Sequence, residues 1–236
     1  MDNGTLFLVP VPLSESELSD IVPANVRTIV HQLSIFIVEN AKTARHWLKW
    51  FAHPIEMRQL TLIEIDEADN SAAMSKYLAP LLEGKSIGLM SEAGCPGVAD
   101  PGANVVREAH RLGIRVVPLV GPSSVLLALM ASGLNGQRFT FHGYLPVDRA
   151  LRVKAITDLE QRSKKNRETQ IFIETPYRNE AIFAALIDTC QSKTLLCVAT
   201  DVTGKNESII TRRIGEWHGA KPSLDKRPTV FLLLAS

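Results

Sequence analysis

Cysteine is scarce: Cys95, Cys190 and Cys197 are the only three in 236 residues. They form no Cys-x-x-Cys pair, and an odd number argues against a disulfide framework. No apolar run approaches ~18 uninterrupted residues, so no membrane span is expected. Neither sign of charge dominates, because 26 Lys and Arg against 25 Asp and Glu leave a net +1. That balance excludes a strong global pull toward nucleic acid or anionic membrane and leaves room for a local basic patch. The opening MDNGTLFLVP lacks a basic start and a long apolar core, so no signal peptide is expected. A cytoplasmic protein in a reducing compartment is the expectation.

Metal-binding patterns are also missing. The six histidines include no pair at i, i+4, and none sits with cysteine in a zinc spacing, so no metal is expected. No Gly-x-Gly-x-x-Gly follows the first apolar run, which removes the usual dinucleotide fingerprint. Gly84-Lys85-Ser86 is not a phosphate loop. Ala79 stands where the loop needs glycine, and the triplet follows a helix pattern and opens a strand pattern, the reverse of the required order.

What is present centres on Ser86 to Leu129. Ile87 to Met90 is a short buried strand. Ser91 to Gly102 holds three glycines and two prolines, which forbid regular structure. Asn104 to Leu112 reads as a helix stopped by Gly113. Ile114 to Leu119 is a second strand, and Gly121-Pro122-Ser123-Ser124 opens another helix. In a parallel sheet both loops lie at the carboxyl ends of the strands, where open α/β sheets bind ligands. Recurrence of a glycine loop at one edge favours a site over a mere double turn. Ser123 and Ser124 suit a helix cap and a ligand donor equally.

Ahead of this stretch, strands at Thr5–Val9, Ser34–Glu39 and Leu60–Ile65 alternate with helices at Ala24–Gln32, Ala41–Phe51 and Ser71–Leu82, with Ser71 as N-cap. Ser14 to Asp20 reads as polar loop. The alternation signals βαβ units. Beyond it, strands are expected at Arg138–Gly143, Gln170–Glu174, Thr194–Ala199, Glu207–Thr211 and Thr229–Ala235. Helices are expected at Arg149–Arg162, Ala181–Cys190 and Arg213–Trp217. The fold class is α/β, as two α/β domains, residues 1–119 and 120–236, with a cleft between them. Glu174 and Arg178, four apart at a strand end, suit either an ion pair or a cleft wall. The basic Arg162 to Arg167 stretch is expected to be exposed.

Five segments in order resemble one family: Gly4 to Pro12, Ser91 to Pro96 with Asp100-Pro101-Gly102, Val120 to Ser124, Gly143 to Pro146, and Glu174 to Arg178. They are similar to the class III S-adenosylmethionine-dependent methyltransferases of tetrapyrrole-methylase fold, and within these to the ribosomal small-subunit RNA cytidine 2′-O-methyltransferases. The resemblance implies S-adenosylmethionine as methyl donor, a homodimer, and rRNA or the small ribosomal subunit as partner. It places the donor at Pro10, Val11, Pro12, Glu92, Ala93, Gly94, Cys95, Val98, Ser123, Ser124, Val125, Leu145, Glu174, Thr175 and Pro228. A ribose hydroxyl acceptor needs a base or polarising group, for which Glu39, Glu174 and Arg178 are the catalytic candidates, with Asp201 and Lys42 behind them.

The chain departs from that family on the acceptor side. Ser14-Glu15 replaces Gly-Asn, and Val38 to Lys42 keeps only Glu39 of Ala-Glu-Asp-Thr-Arg. Asp66 to Asp69 is acidic where the family has histidine, and Thr200 to Gly204 lacks two basic residues. The charge change runs against phosphate contact at those positions. A small-molecule or protein acceptor, or a donor-binding protein without turnover, is the alternative expectation.

Overall fold

The computed structural model describes residues 3–14, 21–66, 71–224 and 226–236. Most of the expected polar loop at 14–20, the acidic segment after Asp66 and the side chain of Ser71 lie outside the described residues. The chain divides into two compact units, Met1–Ser123 and Ser124–Ser236. The expected boundary was drawn after Leu119.

In the first unit, β1 (Thr5–Leu8), β2 (Ile35–Val38), β3 (Thr61–Glu64), β4 (Ile87–Met90) and β5 (Arg115–Pro118) form one sheet in the order β3-β2-β4-β1-β5. Every pairing is parallel. A parallel sheet needs helices on both faces. Those helices are α1 (Ala24–His31), α2 (Ala41–Trp50), α3 (Ser71–Leu82) and α4 (Gly102–Arg111). Alternation along β2 assigns the layers, since successive side chains point to opposite faces. Phe36 and Val38 pack with Val26, Val30, Trp47, Leu48 and Phe51 from α1, α2 and the residue after α2. Ile37 joins Met74, Leu78 and Leu81 of α3 and Val105 of α4. Asn40 caps α2 by accepting from Thr43 N at 3.0 Å.

In the second unit, β6 (Phe139–Tyr144), β7 (Thr169–Glu174), β8 (Leu195–Thr200), β9 (Ser208–Arg213) and β10 (Thr229–Leu234) form a mixed sheet in the order β6-β7-β10-β8-β9. β6 and β7 are parallel, and β10 runs antiparallel to both β7 and β8. The helices are α5 (Ser124–Ser132), α6 (Arg149–Asn166), α7 (Asn179–Thr189) and the short α8 (Ile214–Trp217). Ile156 and Leu159 of α6 and Ile182, Phe183 and Leu186 of α7 cover one face, against Phe172, Val198, Phe231 and Leu233. The Phe172 and Phe231 rings stack across β7 and β10 with centroids 5.7 Å apart. α5 packs on β9 and β10, and Thr211 Oγ1 donates to Ser132 O at its end (2.7 Å).

Strand and helix limits fall within a residue or two of expectation, with one larger difference. α6 was expected to stop at Arg162 and runs to Asn166. Ser163 on that extra turn is fully buried, and its hydroxyl accepts from Ala235 N at 2.8 Å. A polar serine there is a ligand for the last strand's backbone and not a stop signal. The turn then closes on Glu168, which accepts from the Thr140 hydroxyl and from Arg162 Nε at 3.1 Å.

Those bonds, the Thr140 hydroxyl first and Arg162 second, hold the Glu168 carboxyl down at about 2 against an ordinary 4.5. A depressed folded value stabilises the fold above the unfolded pKa and is lost as pH falls toward the folded one. The urea midpoint of the protein is therefore expected to drop between pH 5 and pH 2.5, and Glu168→Gln to flatten that drop while leaving the remaining carboxylates to titrate. An equal drop in both proteins would refute the assignment.

Candidate active site

β1 lies between β4 and β5, so the three loops leaving their carboxyl ends are neighbours. Backbone bonds continue the sheet past its formal end: Val9 N donates to Leu89 O (2.8 Å) and Leu119 N to Leu8 O (3.0 Å). Beyond that, Val11 and Gly94 exchange both bonds, Val11 N to Gly94 O at 2.9 Å and Gly94 N to Val11 O at 3.2 Å. Gly94 makes this bridge with φ +72°, where side chains are disfavoured. On the other side, a Cβ on Gly121 would stand 2.2 Å from Pro10 Cβ, so only glycine lets the β5 loop lie against the β1 loop. Cys95 Sγ ties the two glycine loops together by donating to Pro122 O at 3.2 Å. Burial first, and the Asp100 carboxylate second, push the Cys95 thiol up, which keeps it protonated and a donor.

The loop after β4 is held from both sides. Glu92 N donates to Glu39 Oε2 at 3.1 Å, Trp47 Nε1 donates to Glu92 O at 2.9 Å, and the Thr43 hydroxyl donates to Glu92 Oε1 at 3.1 Å. Asp100 Oδ1 accepts from Gly97 N (2.8 Å) and Gly102 N (2.7 Å), which pins the loop to the start of α4. Burial pushes the Asp100 carboxyl up, opposed by those two backbone bonds and by the Ser91 hydroxyl. Pro10, Val11, Pro12 and Gly94 are buried and form the floor, whereas Glu92, Ala93 and Val98 are exposed above it. Ser123 is half-buried at the end of the first unit, and Ser124 and Val125 begin α5 in the second.

The other expected residues gather at one edge of the second sheet. Glu174 ends β7 opposite Thr229 of β10, directly after Pro228. The Glu174 side chain is fully buried, and Arg178 Nη2 lies 2.9 Å from its Oε2. Oε1 accepts from Thr175 N at 2.7 Å. Arg178 also donates to Leu145 O (3.3 Å) and Pro146 O (3.2 Å), so the pair fastens the turn after β6 to the end of β7. Of the two readings of the Glu174–Arg178 spacing, the ion pair is the one these contacts show. Asp201 has φ +51° and turns the chain after β8, accepting from Asn206 N at 3.1 Å. Sequence reasoning missed three residues. Thr43 and Trp47, read only as helix and core, hold Glu92. Asn179 Nδ2 fixes the Pro228 segment through Arg227 O (2.7 Å) and Thr229 Oγ1 (3.0 Å). Its signal was a polar residue opening a helix directly after Arg178.

The edge of the first unit has the chemistry to hold a donor by backbone, and the second unit has buried acceptors of its own. The first edge offers backbone in place of bulk, and Gly97, at φ +82°, has open space where a Cβ would be. At the second edge Asn179 Oδ1 and Glu174 Oε2 are buried acceptors that no hydrogen-bond donor among the described residues satisfies, Arg178 approaching Oε2 outside hydrogen-bond geometry. Among the described residues no group of three metal-ligating side chains occurs.

Two predictions follow the geometry. Asp100→Asn keeps an Oδ1 and is expected to preserve amide-exchange protection at Gly97 and Gly102, whereas Asp100→Ala is expected to lose it at least tenfold. Arg178→Met leaves a buried carboxylate without its counter-charge and is expected to cost about 3 kcal/mol. Adding Glu174→Gln should recover most of that loss, read from urea midpoints of the single and double variants.

Comparison with known proteins identifies the family and the fold. A profile of the Tetrapyrrole (Corrin/Porphyrin) Methylases matches residues 26–217. The chain is 31% identical over its full length to the ribosomal RNA small subunit methyltransferase I of Pseudomonas aeruginosa, spanning 80% of that protein. It is 32% identical to the Bacillus subtilis protein of the same name, over 91% of this chain and 69% of that one. Among solved structures it resembles the methyltransferase CobJ, with a TM-score of 0.64 and 17% identity over 100% of this chain and 95% of that one. The uroporphyrin-III-C-methyltransferase of Thermus thermophilus gives 0.56 and 17% over 98% and 92%. The fold is the one the motifs implied, and the chain belongs to the tetrapyrrole methylase family.

Proposed function

We propose that this protein is an S-adenosylmethionine-dependent methyltransferase that modifies a nucleotide of small-subunit rRNA. The observation that carries the donor assignment is the Val11–Gly94 bridge. It joins the loops after β1 and β4 into a backbone-lined edge, to which Cys95 ties the β5 loop, with Glu92 held above it by Thr43 and Trp47. The rRNA assignment is supported by relatives about a third identical along the chain that bear that activity in their names. When bound, the donor supplies a methyl group already activated on a sulfonium. The protein's own work is alignment and exclusion of water. Pro10, Val11 and Pro12 form the floor, while Gly94, Cys95 and Ser123 keep the loops in register. In the second unit, Leu145, Thr175 and Pro228 stand where the turns after β6 and β7 meet the start of β10, and Ser124 and Val125 open α5.

Glu39, Glu174 and Arg178 act as positioning residues in this reading. Glu39 accepts from the Glu92 backbone, and Glu174 is paired with Arg178. Both carboxylates are engaged in contacts that fix backbone or an arginine, which supports a reaction driven by orientation. A homodimer is supported by Leu126 and Met130, exposed apolar side chains one turn apart on α5. The three free thiols accord with a cytoplasmic setting.

The test uses the full chain, small ribosomal subunits lacking the modification, and donor carrying a labelled methyl. Calorimetry is expected to give donor binding near micromolar, and label is expected in RNase-sensitive material. Donor binding with no label in RNA would overturn the rRNA acceptor, and no donor binding would overturn the whole reading.

A further inference from the structure

Aromatic rings of the second unit mostly lie in its core, as Phe172, Phe183, Trp217 and Phe231 do. Two tyrosines break that pattern at the end of the sheet where Glu174 closes β7 and Thr229 opens β10. Tyr177 is 84% exposed and Tyr144 is 57% exposed. Tyr144 is the last residue of β6, and Tyr177 lies just past the end of β7, its parallel neighbour.

Local structure presents both rings. Phe141 registers with Ile171 and Tyr144 with Ile173, so β6 takes three steps where β7 takes two. This is a bulge, rare between parallel strands, and it includes Gly143 at φ +67°. Plain alternation would place Tyr144 with Thr140 and His142, on the Phe172 face that α6 and α7 cover. The bulge turns it instead to the face of Ile171 and Ile173. Tyr177 sits in a tight turn closed by Arg178 N donating to Thr175 O at 2.9 Å, with the backbone ahead of it preset by Pro176. Arg178 also reaches Leu145 O and Pro146 O, so the two tyrosine-bearing turns are fastened to each other. Rings held on fixed backbone lose little entropy on binding. A cation stands close in sequence. Arg149 and Arg152 lie within the first four residues of α6, Arg149 is exposed, and that turn holds no acid. The helix macrodipole disfavours cations there, so helix stability does not account for Arg149. The nearby carboxylates have structural duties: Asp148 caps α6 by accepting from Leu151 N at 2.9 Å, and Glu174 pairs with Arg178.

We infer that Tyr144 and Tyr177 form a stacking surface for unpaired bases of the RNA substrate, with Arg149 placed to meet a flanking phosphate. Exposed aromatic rings bind splayed bases through their π faces, and RNA is read mainly in loops and single strands, where bases are free to leave the stack. Bases in a duplex stack on one another and offer no such face. An arginine beside the rings matches a nucleotide chain, in which bases and phosphates alternate. The rings stand at the same sheet end as Glu174 and Pro228, so a base held there lies at the donor-side end of this unit. The inference rests on the rRNA reading above and names the part of the substrate that this end of the sheet holds.

The experiment measures binding of the full chain to a labelled single-stranded RNA of ~12 nucleotides, and to the blunt duplex of the same sequence, across a salt series. Tyr144→Ala/Tyr177→Ala is expected to weaken single-strand binding about tenfold or more and to leave the slope of log K against log salt unchanged, since stacking releases no counterions. Tyr144→Phe/Tyr177→Phe keeps the rings and should stay within about twofold of the wild type. Arg149→Gln should reduce the magnitude of the salt slope by roughly 0.7, for one phosphate of a single strand. Duplex binding, donor affinity by calorimetry and thermal melting should not move in the alanine pair. Should that pair melt early, Tyr177→Ala alone, at the more exposed ring, carries the test with an expected loss of about fivefold. Unchanged single-strand affinity in the alanine variants, with small subunits still methylated, would overturn this surface and leave the proposed function standing. Losses of equal size on single strand and duplex would overturn the stacking of unpaired bases. Sedimentation showing a dimeric wild type and a monomeric alanine pair would make the rings a subunit contact and overturn the RNA assignment. A wild-type protein that binds donor and no RNA would overturn both this surface and the function.

Discussion

The reciprocal backbone bridge between Val11 and Gly94 is the constraint on which the first unit's loop edge depends. Parallel strands deliver their loops to one end, yet nothing in that topology makes the loops touch. Here the contact is made by backbone, which places proline and glycine where most proteins put side chains. Gly94 must be left-handed to turn toward Val11, and Gly121 must lack a Cβ to lie on Pro10. Asp100 then fixes the far side of the loop through two peptide N–H groups. An edge assembled this way is rigid and nearly free of side-chain bulk, as a site that aligns an already activated group requires.

The second unit solves the same problem with charge. Its active edge has few glycines, and its turns are held by the buried Glu174–Arg178 pair, by Asp201 in a left-handed turn and by Asn179 across to Arg227 and Thr229. Buried ion pairs contribute little net stability but impose one geometry, because breaking one partner leaves an uncompensated charge. Carboxylates in both units are thus spent on shape. Glu39 holds a backbone N–H, Glu174 holds an arginine, and Asp201 holds its own turn.

Much of this was legible in the sequence. Ile87 to Met90 between glycine-rich flanks marked a buried strand, and strand–helix alternation marked the parallel sheet with its loops at one end. Phe36, Ile37 and Val38 show why periodicity alone gave strand positions but not layers: all three are buried, on two faces. The extra turn of α6 was hidden because Ser163 and Lys164 look like helix-ending polar residues, and only the Ser163–Ala235 bond shows otherwise. The grip of Thr43 and Trp47 on Glu92 joins residues nearly fifty positions apart and has no local signal. The Glu174–Arg178 spacing left an ion pair and a cleft wall open, and the structure shows the ion pair, with the carboxylate buried.

With acids and bases almost equal in number, a protein can attract polyanions only by sorting charge, not by accumulating it. This chain spends carboxylates on shape: Glu174 pairs with Arg178, Glu108 with Arg111, and Asp100 accepts from two peptide N–H groups. Each such ion pair removes a negative charge from the long-range field, because a carboxylate close to its cationic partner is seen from a distance as a dipole and not as a charge.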